Sequence, residues 1–591
     1  MRRQLLLRQA ALAASLAALL AASLPAAGPE PRRRAVLLSF DGVSGQRLER
    51  LLAEPSRLTA GGFRRIAARG FVASRSVPPT PALTAVAHAT IATGALPQVT
   101  GIVANTMLDR SKPFGATISG FEAPIRAETL WEAARRQGKR VGVVYFPGAD
   151  GTSPARTADW ALTWPGAPAQ RGRLQALSPA AWQPVGDQPE TSYSPARRAV
   201  LSFGPSGHTL TVTAVDTTDD RTVNYDHLRV ESETGAAQEV RAGEWFPVEV
   251  RSPEGRTGAW CRLMTLAPDL SRVEIYVGPL GHNTGYPREL VREVDEKFGF
   301  WPGVGDHDAF GAGSEHPELY VEQLERVAAF ATRVQAWAIS RQDWDLLLCY
   351  QSEVDAISHE FLLTDPGQTG FTWERASRFA EFVDHGYAIA DGALDALDRA
   401  LSPSDAIFVT SDHGMTPVWT EIFPNELLRR AGLVKLDARG RIDPSSRAVA
   451  IVEGAIAHVY LNGGSDPALL DQVETALRDL KVRGESPWER IVRRGDAASL
   501  GLDAPESGDI IALARPGYHL SRRTPEPATP VGLPTEYGAH GYRNVYPEIQ
   551  ACYLAAGPGI AKGHVDSINS WQIAARVAAA LGIEPPRNAE R

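Results

Sequence analysis

Arg34-Ala35-Val36-Leu37-Leu38-Ser39-Phe40-Asp41-Gly42 is a short apolar run that stops at a carboxylate and a glycine. A strand buried on both faces of a parallel sheet reads this way, because neither face meets water. Two further runs share the pattern. Asp345-Leu346-Leu347-Leu348-Cys349-Tyr350 leads into a polar loop carrying Glu353, Asp355 and His359, and Ala406-Ile407-Phe408-Val409-Thr410 leads into Ser411-Asp412-His413-Gly414. Helical periodicity lies between the strands, at Arg47 to Arg69, Ala127 to Gln137, Glu318 to Arg341, Glu374 to Leu401 and Ser570 to Leu581. A strand over Arg140 to Tyr145 and another over Ala551 to Ala556 continue the series. This alternation predicts an α/β fold, with a central, mostly parallel sheet flanked by helices.

The texture changes from about Thr163. Pro, Gly and Ser become frequent, and two-residue alternation appears at Thr209 to Val215, Trp245 to Val250 and Val273 to Val277. We therefore expect a β-rich insertion over 163–313. A less regular α+β insertion is expected over 421–533, with strands near Ile456 to Leu461 and Asp509 to Ala514. Residues 34–162, 318–420 and 534–591 would then form the catalytic core in three pieces.

With 591 residues the chain exceeds a single simple core, and its net charge of −8 argues against nonspecific binding to nucleic acid or anionic membranes. Arg2, Arg3 and Arg8 precede the Ala/Leu-rich run Ala11 to Leu24. Residues 1–28 thus read as an export signal, with a twin-arginine hint, and predict a periplasmic or extracellular protein. No other segment is long and apolar enough to cross a bilayer. Cys261, Cys349 and Cys552 are too few for a disulfide framework or a cysteine-based zinc site.

The stretch Pro81-Ala82-Leu83-Thr84-Ala85-Val86-Ala87-His88 follows a Pro-Pro-Thr-Pro breaker and predicts a helix beginning near Thr84, with Val86, Ala89 and Ile91 inward. By itself Thr84 reads as a helix cap. A helix start also favours an anion, through free N–H groups and the dipole. In open α/β sheets ligands gather at the carboxyl ends of strands, so Asp41, the Asp355/His359 loop and Asp412-His413 should converge. His540, within Tyr537-Gly538-Ala539-His540-Gly541-Tyr542, completes three Asp and three His. Six nitrogen and oxygen donors suit two divalent ions, with zinc the natural choice.

Together these motifs resemble the alkaline phosphatase superfamily, most closely its type I phosphodiesterase / nucleotide pyrophosphatase branch. The matching pieces are S-F-D-G around Asp41, P-x-x-T…H-x-x-I-x-T-G around Thr84 and T-G-I-V-A-N ending at Asn105. Y-F-P-G-A-D follows at Tyr145 to Asp150, then E-x-D-x-x-x-H at Glu353 to His359, T-S-D-H-G-M from Thr410 and G-x-H-G-Y around His540. The resemblance implies an alkaline-phosphatase-like fold and one metal held by Asp41, Asp412, His413 and Thr84. It implies a second metal held by Asp355, His359 and His540. Thr84 would attack phosphorus in line, forming a phosphothreonine intermediate, and the Asn105 amide would donate to a phosphoryl oxygen. His88 reads equally well as a buried structural histidine, and Glu353 as a residue outside the ligand set.

Ala87 stands where the family's phosphodiesterases often carry asparagine. Phe146-Pro147-Gly148 stands where related monoesterases carry Lys-x-Arg, which favours a phosphodiester or pyrophosphate among small phosphate-ester substrates. Monoester or phosphonate hydrolysis at the same site is the alternative. A sulfatase would need a C/S-x-P-x-R pattern, which the residues after Thr84 do not supply. A catalytically silent binding module, the alternative from another class, would have no need of all six ligands.

Overall fold

A computed structural model describes residues 32–590, apart from 167–169, 187–188, 342, 465 and 524–527. At its centre lies a nine-stranded mixed sheet. In chain order the strands are β1 (Arg34–Phe40), β2 (Phe71–Val77), β3 (Val141–Val144), β4 (Trp160–Thr163), β5 (Thr284–Tyr286), β6 (Leu346–Gln351), β7 (Asp405–Ser411), β8 (Ala551–Ala556) and β9 (Gly563–Asn569). Across the sheet they run β5-β4-β3-β6-β1-β7-β8-β2-β9. β1 is parallel to both its neighbours, with Ala35 opposite Leu346 and Ala406. Only β5 and β8 run against the rest. β1, β6 and β7 are buried along their whole length, as their unbroken apolar runs require.

Five helices position the site: α1 (Thr84–Thr93), α2 (Glu318–Arg341), α3 (Glu353–Phe361), α4 (Trp373–Ala400) and α5 (Ile573–Leu581). α4 packs on α2 and α3, whereas α5 packs on α1 and β1. The helix expected from Arg47 to Arg69 is two helices, Gly45–Ala53 and Gly62–Arg69. Pro55 pushes Glu54 out of the helical region, and Gly61 turns the chain at φ 79° before the second helix begins. The helix expected from Ala127 starts instead at Leu130, where Thr129 and Glu132 form a capping box.

The strands from Arg173 to His282 form two antiparallel sheets outside the central one. Leu201, Leu210 and Val212 of one meet Phe246, Cys261 and Ile275 of the other in a separate core. The chain then returns to the central sheet with β5 and the helix Arg288–Phe298. Ala448–Glu453, Ile456–Leu461, Ile510–Ala514 and Trp488–Arg493 build a four-stranded sheet that packs with the helix Pro467–Arg478. The three cysteines are buried and unpaired. Among the described residues no helix is long and apolar enough to cross a membrane. The expected export signal, 1–28, lies outside the described residues.

One glycine joins two of the strand ends. Gly42 follows Asp41 at φ 73°, and a Cβ there would lie 2.7 Å from the Asp355 Cα. The β1 loop and α3 can approach this closely only because Gly42 has no side chain. Gly42→Ala is expected to destabilise the protein by at least about 1–2 kcal/mol through the left-handed backbone alone. Its thermal midpoint should fall accordingly, and a variant as stable as the parent would contradict the close-approach argument.

Candidate metal centre and active site

Asp41 and Asp412 directly follow β1 and β7, and Asp355 lies in the first turn of α3 just after β6; these are the three adjacent strands at the middle of the sheet. Asp41 and Asp412 are each anchored through one oxygen and bare at the other. Asp41 Oδ2 accepts from the buried Tyr350 hydroxyl. Asp412 Oδ1 accepts from the Gly42 N–H at 3.2 Å and the His413 N–H at 2.9 Å. Asp41 Oδ1, Asp412 Oδ2 and Asp355 Oδ1 are buried and make no hydrogen bond.

Those bare oxygens face imidazole nitrogens. His413 Nε2 lies 3.4 Å from Asp41 Oδ1 and 3.3 Å from Asp412 Oδ2. His540 Nε2 lies 3.8 Å from Asp355 Oδ1, and His359 Nε2 lies 3.5 Å from Asp355 Oδ2. In all three rings the other nitrogen, Nδ1, meets a backbone carbonyl: Gly414 at 3.1 Å, Ala82 at 3.0 Å and Gly538 at 2.9 Å, respectively for His413, His540 and His359. When such a ring is neutral, an Nδ1–H donated to the carbonyl directs its Nε2 lone pair into the centre, the state that ligates metal.

Two groups of donors lie within 4.8 Å of one another: Asp41, Asp412 and His413, and Asp355, His413 and His540. The first holds the three side-chain ligands assigned to one ion from the sequence. The second shares Asp355 and His540 with the other assigned set but has His413 in place of His359. The His413 and His540 rings stack at 3.8 Å, which brings the two groups together at one face. The donor set therefore fits divalent cations: bare carboxylate oxygens and oriented imidazoles in a buried pocket.

Burial and mutual repulsion shape the protonation of these groups. Asp412 is pushed up from 3.8 to about 7, first by burial and then by the Asp355 charge. Asp41 is raised well above its ordinary value by burial and by both neighbouring carboxylates. Burial holds His413 well below the usual imidazole range. His359 goes the other way: burial opposes its charge, but Asp355 and Glu536 together raise it to about 10.

Thr84 is the first residue of α1 and is buried, with Oγ1 3.3 Å from His413 Nε2. It does not cap the helix. The N-cap is Leu83, whose side chain makes no capping bond, and the capping oxygen comes from afar. Asn105 Oδ1 accepts the Ala85 N–H at 2.8 Å. Because that partner is a donor, the Asn105 oxygen is assigned there and its NH2 is the group left for a ligand. The Asn105 carbonyl in turn accepts from the Gly120 N–H at 2.8 Å. Arg156, almost fully buried, braces the same loop through the carbonyls of Gly120 and Ala123.

All ten residues of α1 are buried, so the expectation of one inward face is too narrow. His88 is packed inside: Nδ1 meets the Thr84 carbonyl at 2.8 Å, Nε2 meets Ser39 Oγ at 2.9 Å, and burial lowers it to about 4. Glu353 is buried, and burial pushes its carboxyl up to about 7. Two functional neighbours escape the sequence reading. Tyr350 sits one residue before the end of β6, where it reads as core. Glu536, bonded to His359 Nδ1 at 3.0 Å, lies in a turn-rich stretch with no periodicity to mark it.

A family model described as type I phosphodiesterase / nucleotide pyrophosphatase matches residues 35–543. No curated protein matches the chain. Solved structures similar to it include murine and human ectonucleotide pyrophosphatase / phosphodiesterase 5, each 15% identical, with 94% of this chain and 96% of that chain covered and a TM-score of 0.49. An inactive variant of the murine protein in complex with AMP is 15% identical over the same shares, with a TM-score of 0.48.

The raised Asp412 pKa has a consequence for the metal-free protein. A carboxyl that holds its proton more tightly when folded contributes stability below about pH 4, its unfolded value, and loses it as the pH rises to about 7. Metal-free wild type should therefore lose more melting temperature between about pH 4 and pH 8 than metal-free Asp412→Asn. Equal losses in the two proteins would contradict the assignment.

Proposed function

The chain belongs to the type I phosphodiesterase / nucleotide pyrophosphatase family of the alkaline phosphatase superfamily and is a hydrolase of phosphoric ester bonds, and on that premise we propose that Thr84 is its nucleophile. The observation that carries this reading is the Thr84 hydroxyl at a helix start, 3.3 Å from His413 Nε2 and beside the bare oxygens of Asp41 and Asp412.

The family is metal-dependent. Asp41, Asp412, His413 and Thr84 would hold one ion, and Asp355, His359 and His540 a second. Zinc at both would supply Lewis acidity toward the phosphoryl oxygens and make the threonine alkoxide accessible at neutral pH. Thr84 Oγ1 forms the new bond to phosphorus as the ester P–O bond opposite it breaks, leaving a phosphothreonine. Water then cleaves that bond and restores the hydroxyl. The Asn105 NH2, held in place by its own oxygen on Ala85, donates to a nonbridging phosphoryl oxygen. The backbone at the start of α1 adds the positive end of the helix dipole.

Among the described residues no Lys or Arg bonds to any of these eight side chains. A monoester would bring two negative charges to the transferred group and gain from such a cation. Phe146-Pro147-Gly148, standing where related monoesterases carry Lys-x-Arg, supports a phosphodiester or pyrophosphate as the substrate. We propose further that the strand-rich segments 163–313 and 421–533 are insertions that shape access to the site. Arg2, Arg3 and Arg8 before the apolar run Ala11 to Leu24 support export to the periplasm or exterior.

Bis-p-nitrophenyl phosphate should be turned over with a higher kcat/KM than p-nitrophenyl phosphate; the reverse order would favour the monoesterase reading. Thr84→Ala is expected to lower kcat by at least about 10³-fold, with full rate in that variant ruling out a covalent threonine. Asn105→Ala should cost about 10²–10³-fold in kcat, as for loss of a donor to a developing charge.

A further inference from the structure

The three histidines at the centre differ in what holds them. His413 and His540 each engage a backbone carbonyl alone through Nδ1. His359 Nδ1 meets the Gly538 carbonyl at 2.9 Å and, in addition, Glu536 Oε2 at 3.0 Å. A carboxylate behind an imidazole fixes the ring and raises the basicity of the nitrogen on its far side. On His359 that far nitrogen is Nε2, which faces Asp355.

Charge points the same way. Asp41 and Asp412 bring two carboxylates to the first donor group, whereas Asp355 is the sole carboxylate among Asp355, His359 and His540. Glu536 makes no ion pair with Lys or Arg among the described residues, so its charge is not cancelled there. Its side chain is about one-third exposed at 32% and contacts the centre through His359. Counting it, each half of the centre is served by two carboxylates, matched to the charge of one divalent ion.

We propose that Glu536 is a positioning residue for the cation held by Asp355, His359 and His540. It orients His359 and supplies the missing negative charge without taking a coordination position. This rests on the two-ion reading above.

The test is zinc titration of the full chain against a chromophoric chelator, for wild type, Glu536→Gln and Glu536→Ala, with melting of each metal-free protein. Wild type should bind two equivalents. Glu536→Gln should weaken one equivalent by about 10–100-fold and leave the other unchanged, with the metal-free protein still melting cooperatively. Its turnover should recover as free zinc is raised. Two equivalents as tight as in wild type would overturn the proposal, as would equal weakening of both. Should Glu536→Ala not fold, the isosteric Gln variant carries the comparison. Wild type binding fewer than two equivalents would overturn the two-ion reading itself, independently of either variant.

Discussion

Three carboxylates, Asp41 and Asp412 buried and Asp355 partly so, lie within reach of one another, each with an inward oxygen that no protein group satisfies. Burial disfavours the charge on each, and each disfavours the charge on the others. A protein keeps such an arrangement only where protons or cations compensate it. The surrounding structure answers to this constraint. Tyr350 and the N–H groups of Gly42 and His413 tie down the outer oxygens of Asp41 and Asp412. Backbone carbonyls turn three imidazoles, and the free nitrogens of His413 and His540 meet the inner oxygens.

The sheet supplies the convergence. β6, β1 and β7 are adjacent and parallel, so residues at their C-terminal ends meet without long loops. Gly42 lets the β1 loop press against α3, which brings Asp355 close to Asp41. α1 enters from β2 and delivers Thr84 at its first turn. That helix has no side-chain cap of its own, and the Asn105 side chain provides one through its oxygen while its NH2 stays available to a ligand. Structural and chemical roles are thus combined in a single side chain.

Much of this was legible in the sequence. Apolar runs ending in Asp41, in the Asp355/His359 loop and in Asp412-His413 announced buried strands with ligands at their ends, because period and polarity change at the same residue. Contacts between segments far apart in the chain were not legible. Nothing local reveals that Asn105 caps Ala85, or that Glu536 reaches back to His359. The break at Glu54 to Gly61 was missed because the apolar spacing on either side of Pro55 stays in phase. Thr84 looked like a cap because its neighbours leave the helix start undefended, and only the remote asparagine explains why it need not be one. The family resemblance implies His359 beside His540 on one ion, whereas the compact donor group around Asp355 includes His413.

The central claim is that this cluster holds two cations with Thr84 at one of them. Anomalous diffraction at the zinc edge, from crystals grown with zinc, tests it most directly. The account predicts two peaks, one among Asp41, Asp412, His413 and Thr84, and one among Asp355, His359 and His540. A single peak among Asp355, His413 and His540, with none beside Thr84, would contradict it.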